Sequence, residues 1–97
     1  ATKGAVIALT RSLALETAHD GVRVNAVAPA DVLTPLTERQ LCPYLSREDQ
    51  LRKMASIYPL GRIGTAEEAA AVAVFLASSA AAWITGSVYT VDGGLTA

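Results

Sequence analysis

Lys3, Ser12, His19, Asn25, Cys42, Ser46 and Asp92 are the side chains whose chemistry could be put to work in this sequence, and their spacing assembles no ready-made catalytic group. His19 is the single histidine. With Asp20 and Gly21 after it, it reads as a solvated residue in the last turn of a helix, near the negative end of the helix dipole. Ser12 and Ser46 have no histidine partner to make either hydroxyl a nucleophile. Cys42 is the only cysteine, which excludes an internal disulfide framework and a zinc-ligand cluster and fits a reducing, intracellular compartment. Lys3, at the start of a helix, reads by itself as a surface charge. Asn25 and Asp92 lie beside strands and read as buried, hydrogen-bonded structural residues.

The ligand-facing groups are therefore sought in backbone. Val22 to Ala28 reads as a strand, with Val22, Val24, Ala26 and Ala28 on one face and Val27 on the other. Near-continuous apolar strands suit a parallel sheet covered by helices on both faces. Pro29 lacks a backbone donor and is expected to stop the ladder, so the chain leaves the carboxyl end of the strand there. In an open α/β sheet that edge is where ligands bind, which makes Ala30 to Pro35 the ligand-facing segment.

The elements that position this segment follow from periodicity. Residues 3 to about 18 read as a helix, with Val6, Leu9 and Leu13 in one stripe and Ile7, Ala8, Ala14 and Leu15 spreading apolar character round the cylinder. Gly21 caps its end. Thr37 with Gln40, and Ser46 with Asp49, read as two helix starts separated by Cys42-Pro43. The polar stretch 36 to 58 reads as a helix pair leaving directly from the ligand-facing loop, which suits either an ordinary surface element or a mobile substrate lid. Thr65 to Glu68 reads as a capping box for a helix over 66 to 78, with Val72, Phe75 and Leu76 packing in the core. A second strand, Ser87 to Val91, ends at Asp92-Gly93-Gly94. About sixty helix-bearing residues separate the strands, so the expected connection is a right-handed parallel crossover.

Composition narrows the function classes. The 97 residues are 52% hydrophobic and 18% charged with a net charge of -1, which suits a buried fold and supplies no electrostatic footprint for nucleic acid or an anionic membrane. The longest apolar run, Ala69 to Ala77, falls short of the ~20 residues that span a bilayer, so a cytoplasmic protein is expected. Two parallel strands need neighbours, so residues 1–97 read as the C-terminal portion of one doubly wound α/β domain. None of the seven glycines forms a phosphate-binding G-x-G-x-x-G motif, which places any pyrophosphate site upstream.

Taken in order, these segments resemble the C-terminal part of the short-chain dehydrogenase/reductases, the Rossmann-fold family that uses NAD or NADP. Ala1-Thr2-Lys3-Gly4-Ala5-Val6 resembles the end of the family's Tyr-x-x-x-Lys motif, and Arg23 to Pro29 its sixth strand. Thr34-Pro35 is similar to its cofactor-contacting Thr-Pro. Gly61 to Glu68 and Phe75 to Ser78 resemble its penultimate helix, and Ile84-Thr85-Gly86 with Val91 to Gly94 its last strand and turn. Five motifs in the right order are specific for the family, not for a substrate.

The resemblance implies roles for a few positions. Lys3 would be the active-site lysine, bonding the nicotinamide ribose and favouring ionisation of the catalytic tyrosine. That tyrosine would lie four residues before Lys3, outside these residues, and Tyr44, Tyr58 and Tyr89 do not stand in its setting. Val32 would offer backbone groups to the nicotinamide carboxamide, with the Thr34 hydroxyl nearby, and Pro29 and Ala30 would form the wall beneath the ring. Ala30 stands where the family usually has glycine, and its Cβ narrows backbone freedom and crowds the nicotinamide or substrate. The implied function is hydride transfer between NAD or NADP and a carbonyl or secondary alcohol, in a homodimer or homotetramer. The competing reading is a non-catalytic assembly module that pairs with another chain.

Overall fold

The computed structural model describes residues 2–97, and Ala1, the first residue of the Ala1–Val6 motif, lies outside the described residues. Helix α1 runs Thr2–Thr17 and tightens into a 3-10 turn over Ala18–Asp20. Gly21 closes it in the left-handed conformation at φ 74°, its N–H donating to the Ala18 carbonyl. The elements that follow are strands β1 (Ala26–Pro29) and β2 (Val32–Leu33), helices α2 (Pro35–Gln40) and α3 (Arg47–Ala55), and strand β3 (Gly64–Thr65). Helix α4 (Ala66–Ala77), a 3-10 turn over Ser79–Ala81 and strand β4 (Val88–Val91) complete the chain.

β1 pairs with β4, and β2 with β3. The Gly86 N–H donates to the Val24 carbonyl at 2.7 Å and the Ala26 N–H to the Ser87 carbonyl at 2.9 Å, so β1 and β4 advance together as a parallel pair. The α/β class with parallel strands is as expected; the two-residue strands β2 and β3 have no counterpart in the sequence reading. They run parallel, with Val32 opposite Gly64 and Leu33 opposite Thr65.

The chain divides into two compact units, one comprising residues up to Ala28 with Ala71–Thr90, the other Pro29–Ala70 with Val91–Ala97. In the first unit, α1 buries Thr10 and Ala14, while Val6 and Leu9 of the expected stripe are exposed. Thr10 tolerates burial because its hydroxyl donates to the Val6 carbonyl at 2.7 Å. Ala14 is small enough for Gly86 to approach so closely that a Cβ at Gly86 would meet the Ala14 methyl at 3.4 Å. On α4 Leu76 is buried as expected, whereas Phe75, expected in the core, is exposed. The expected strand from Val22 begins instead at Ala26, because Asn25 supplies side-chain bonds in place of ladder bonds: its Nδ2 donates to the Ile84 carbonyl and its Oδ1 accepts the Ser87 N–H, both at 3.0 Å.

In the second unit, β1 ends at Pro29 as expected, although the missing donor there removes no bond to β4. The Ala30 N–H donates to the Val91 carbonyl at 3.3 Å. N–H groups of alternate residues point the same way along a strand, so the missing donor at residue 29 belongs to the opposite edge and costs no bond to β4. The N-cap of helix α2 lies three residues before the expected Thr37. Thr34 is that cap, accepting the Thr37 N–H, and Pro35 takes the first helical position, where a missing N–H is harmless. Ser46 caps α3 as expected, its Oγ accepting the Asp49 N–H at 3.2 Å.

Candidate functional site

The site is built on the segment that follows β1. The Gly64 N–H donates to the Asp31 carbonyl at 3.0 Å, which fixes the plane of the Asp31–Val32 peptide. The C=O and N–H of a trans peptide point in opposite directions, so the Val32 N–H is aimed away from β3. The Val32 carbonyl lies on that same outer edge, where it accepts the Thr37 hydroxyl at 2.6 Å. Val32 therefore presents a donor and an acceptor side by side.

Thr34 adds a third group. Its Oγ1 accepts the Thr37 N–H at 3.2 Å and lies 3.1 Å from the Thr37 Oγ1. The single Thr37 hydroxyl proton goes to Val32, so the Thr34 hydroxyl is the donor within the pair. Its proton is then committed and one acceptor lone pair is left for a ligand N–H.

Asp31 is held by a residue far along the chain. The Tyr58 Oη accepts the Asp31 N–H at 3.1 Å and donates to the Asp31 carboxylate at 2.7 Å. That carboxylate as acceptor raises the Tyr58 pKa above its ordinary value, which keeps this buried phenol protonated and a poor proton donor. The C-terminal turn packs against it: a Cβ at Gly93 would meet the Tyr58 ring at 3.5 Å, and the Leu60 N–H donates to the Gly93 carbonyl. Asp92 shapes that turn by accepting the Gly94 and Thr96 N–H groups.

Asp31, Val32 and Tyr58 line a small cavity together with Arg62, Thr65 and Glu68. Arg62 holds Glu68 through two 2.7 Å bonds, and the Thr65 N–H adds a third at 2.9 Å. The Arg62 guanidinium first, then the Thr65 amide, pull the Glu68 carboxyl down to about 2. The Glu68 N–H returns to the Thr65 hydroxyl at 3.2 Å, completing the expected capping box. The stretch 36 to 58 is braced internally by the two-pronged Arg47–Glu38 ion pair and by Gln50, which bonds both the N–H and the carbonyl of Cys42.

Of the residues expected to form the site, Pro29, Ala30, Val32 and Thr34 lie in the second unit, Pro29 exposed and the other three half-buried. Lys3 belongs to the first unit and is exposed in the first turn of α1. Ala30 carries no left-handed backbone strain, since among the described residues only glycines have a positive φ. Sequence reasoning missed Thr37 and Tyr58 as parts of the site. Thr34-Pro35 carries the signature of a cap followed by proline, which would have placed Thr37 inside the first turn. The Tyr58–Asp31 contact spans 27 residues and has no local signal. Among the described residues, no helix is long and apolar enough to cross a membrane, and no group of three or more His, Cys, Asp or Glu could hold a metal ion.

A family model described as enoyl-(acyl carrier protein) reductase matches residues 1–96. The chain is 47% identical over 98 residues to the inactive 2-(S)-hydroxypropyl-CoM dehydrogenase 2 of Xanthobacter autotrophicus, covering 100% of this chain and 42% of that protein. It is also 47% identical over 96 residues to the galactitol 2-dehydrogenase (L-tagatose-forming) of Cereibacter sphaeroides, covering 99% and 36%. Among solved structures it matches a short chain dehydrogenase family protein from Francisella tularensis with a TM-score of 0.90 at 34% identity, over 97% of this chain and 41% of that one. A C-terminal deletion mutant of Thermoplasma acidophilum aldohexose dehydrogenase matches with a TM-score of 0.87 at 41% identity, over 97% and 43%. The chain thus spans about two fifths of the length of the relatives it matches. With sequence and fold agreeing over almost all of its residues, the chain belongs to the short-chain dehydrogenase/reductase family.

Proposed function

We propose that the complete protein is an oxidoreductase that transfers a hydride between NAD or NADP and a carbonyl or secondary alcohol. The observation that carries this reading is the donor set at Val32 and Thr34. A carboxamide has one acceptor oxygen and two N–H donors. Val32 offers an N–H for the oxygen and a carbonyl with a lone pair beyond the one Thr37 uses, and Thr34 offers one more acceptor. These groups fit the nicotinamide carboxamide without displacing an existing bond. The dehydrogenase relatives at 47% identity support the same class.

Lys3 in this reading bonds the nicotinamide ribose hydroxyls and, as a fixed positive charge, lowers the pKa of the tyrosine four residues before it. Pro29 and Ala30 supply the wall beneath the ring, and residues 36–58 cover the substrate and exclude water. The nicotinamide supplies the redox chemistry when bound. A cytoplasmic, homo-oligomeric protein completes the proposal, the association being supported by the exposed Val6, Leu9 and Leu15 along α1.

The test is absorbance at 340 nm with the complete protein, NADH or NADPH, and a panel of ketones, aldoses and secondary alcohols. Turnover is expected, and Lys3→Met should lower kcat/KM by about a hundredfold or more. Absence of nicotinamide binding would overturn the enzyme reading and leave the assembly module.

A further inference from the structure

We propose that Tyr58 is a positioning residue for the nicotinamide half of the cofactor: it clasps Asp31 and thereby holds the Val32 amide edge toward the carboxamide. The inference rests on the nicotinamide reading above and adds to it a residue that touches no reacting atom.

Asp31 is restrained at three places. Its N–H is held by the Tyr58 Oη at 3.1 Å, its carboxylate by the same phenol at 2.7 Å, and its carbonyl by the Gly64 N–H at 3.0 Å. The Gly64 bond sets the plane of the peptide that carries the Val32 N–H. The phenol sets the residue just before that peptide. Tyr58 can do this because it is itself enclosed, only 6% exposed and packed against Gly93.

Tyr58 is also the last residue of the 36–58 stretch. The first helix of that stretch is tied to Val32 through the Thr37 hydroxyl at 2.6 Å. The two ends of the stretch therefore attach to adjacent residues, Asp31 and Val32, and the backbone offered to a nicotinamide is set by both. Nothing in this arrangement bears on the adenosine half of a dinucleotide, and that asymmetry makes the proposal testable.

The experiment measures binding of NADH, NADPH and ADP-ribose to the complete protein and to Tyr58→Phe, which keeps the ring and removes the hydroxyl. Losing the clasp should weaken the preferred dinucleotide about fivefold to tenfold, the effect of one to two hydrogen bonds, and leave ADP-ribose unchanged. Equal weakening of both ligands would show a merely structural tyrosine and overturn the proposal, as would no change in either. Wild-type protein that binds neither NADH nor NADPH would remove the nicotinamide reading together with the clasp. Should Tyr58→Phe fail to fold, Asp31→Ala keeps the buried tyrosine. It should give a smaller loss confined to the dinucleotide, and equal losses or none would again overturn the proposal.

Discussion

The Thr37 hydroxyl donates to the carbonyl of Val32, five residues earlier, at 2.6 Å, and in doing so decides what Thr34 can still offer a ligand. With its proton pointed at Thr37 and its oxygen capping α2, Thr34 has a structural and a ligand-facing role in one atom. The two roles separate by substitution. Thr34→Ala should cost about 1 kcal/mol of stability as a lost N-cap and raise the KM for the nicotinamide cofactor several-fold. Thr34→Ser should restore both. Urea melts and initial rates of the complete protein check this, and a normal cofactor KM in Thr34→Ala would reduce Thr34 to a cap.

Glu68 predicts an acid-sensitive contribution to stability. Its carboxyl, ordinarily at 4.5, lies at about 2 in the folded chain because Arg62 and the Thr65 amide hold the charged form. A depressed carboxyl stabilises the fold above the unfolded value, and that contribution fades as pH falls from about 4.5 through 2. Both partners of the ion pair are half-exposed, so the effect should be modest and screened by salt. The melting temperature of Glu68→Gln is expected below wild type at pH 6, the gap closing by pH 2. A gap that stays constant across that range would mean the ion pair adds nothing beyond the capping bond.

Ala30 stands where the family usually has glycine, and the sequence alone suggests backbone strain and crowding of the nicotinamide there. Among the described residues only glycines have a positive φ, so the methyl meets no left-handed backbone strain. Ala30→Gly should therefore destabilise by about 0.4–1 kcal/mol through the unfolded chain alone. The cofactor KM should change by less than about twofold. A larger gain in affinity would show that the methyl crowds the ring.

What could be read in advance was what is local in the chain. The Thr65–Glu68 box, the Ser46 cap of α3 and the Gly21 terminus each need partners no more than four residues apart, and each forms as read. The features that escaped depend on register between distant segments. β1 ends at Pro29 as read, but which edge loses the donor there depends on the pairing with β4, and that is settled by Val91. Which side of α1 is buried depends on where Gly86 approaches, so Thr10 and Ala14 are covered while the larger Val6 and Leu9 are not. The backbone segment of the site was legible because its strand ends at the carboxyl edge of a parallel pair. Its support was not, because Tyr58 reaches Asp31 across 27 residues.

Asn25 tests the division between structure and chemistry most directly. Its amide bridges two segments by donating to the Ile84 carbonyl and accepting from the Ser87 N–H, both at 3.0 Å, in a half-buried setting. Asn25→Ala removes both bonds and should cost about 2 kcal/mol while leaving kcat of the complete protein near wild type. Asn25→Asp is the sharper variant. At pH 7 its carboxylate can still accept from Ser87 but turns an oxygen toward the Ile84 carbonyl, a repulsive pairing that raises the new carboxyl's pKa in the folded state. A raised carboxyl pKa makes folding increasingly unfavourable as pH rises, so the variant should regain stability on acidification, when the protonated carboxyl can donate to Ile84. That dependence is opposite in sign to the one expected from Glu68. Chemical melts between pH 4 and 8 distinguish them, and a stability deficit for Asn25→Asp that does not shrink toward pH 4 would mean that the Ile84 bond is not what Asn25 contributes.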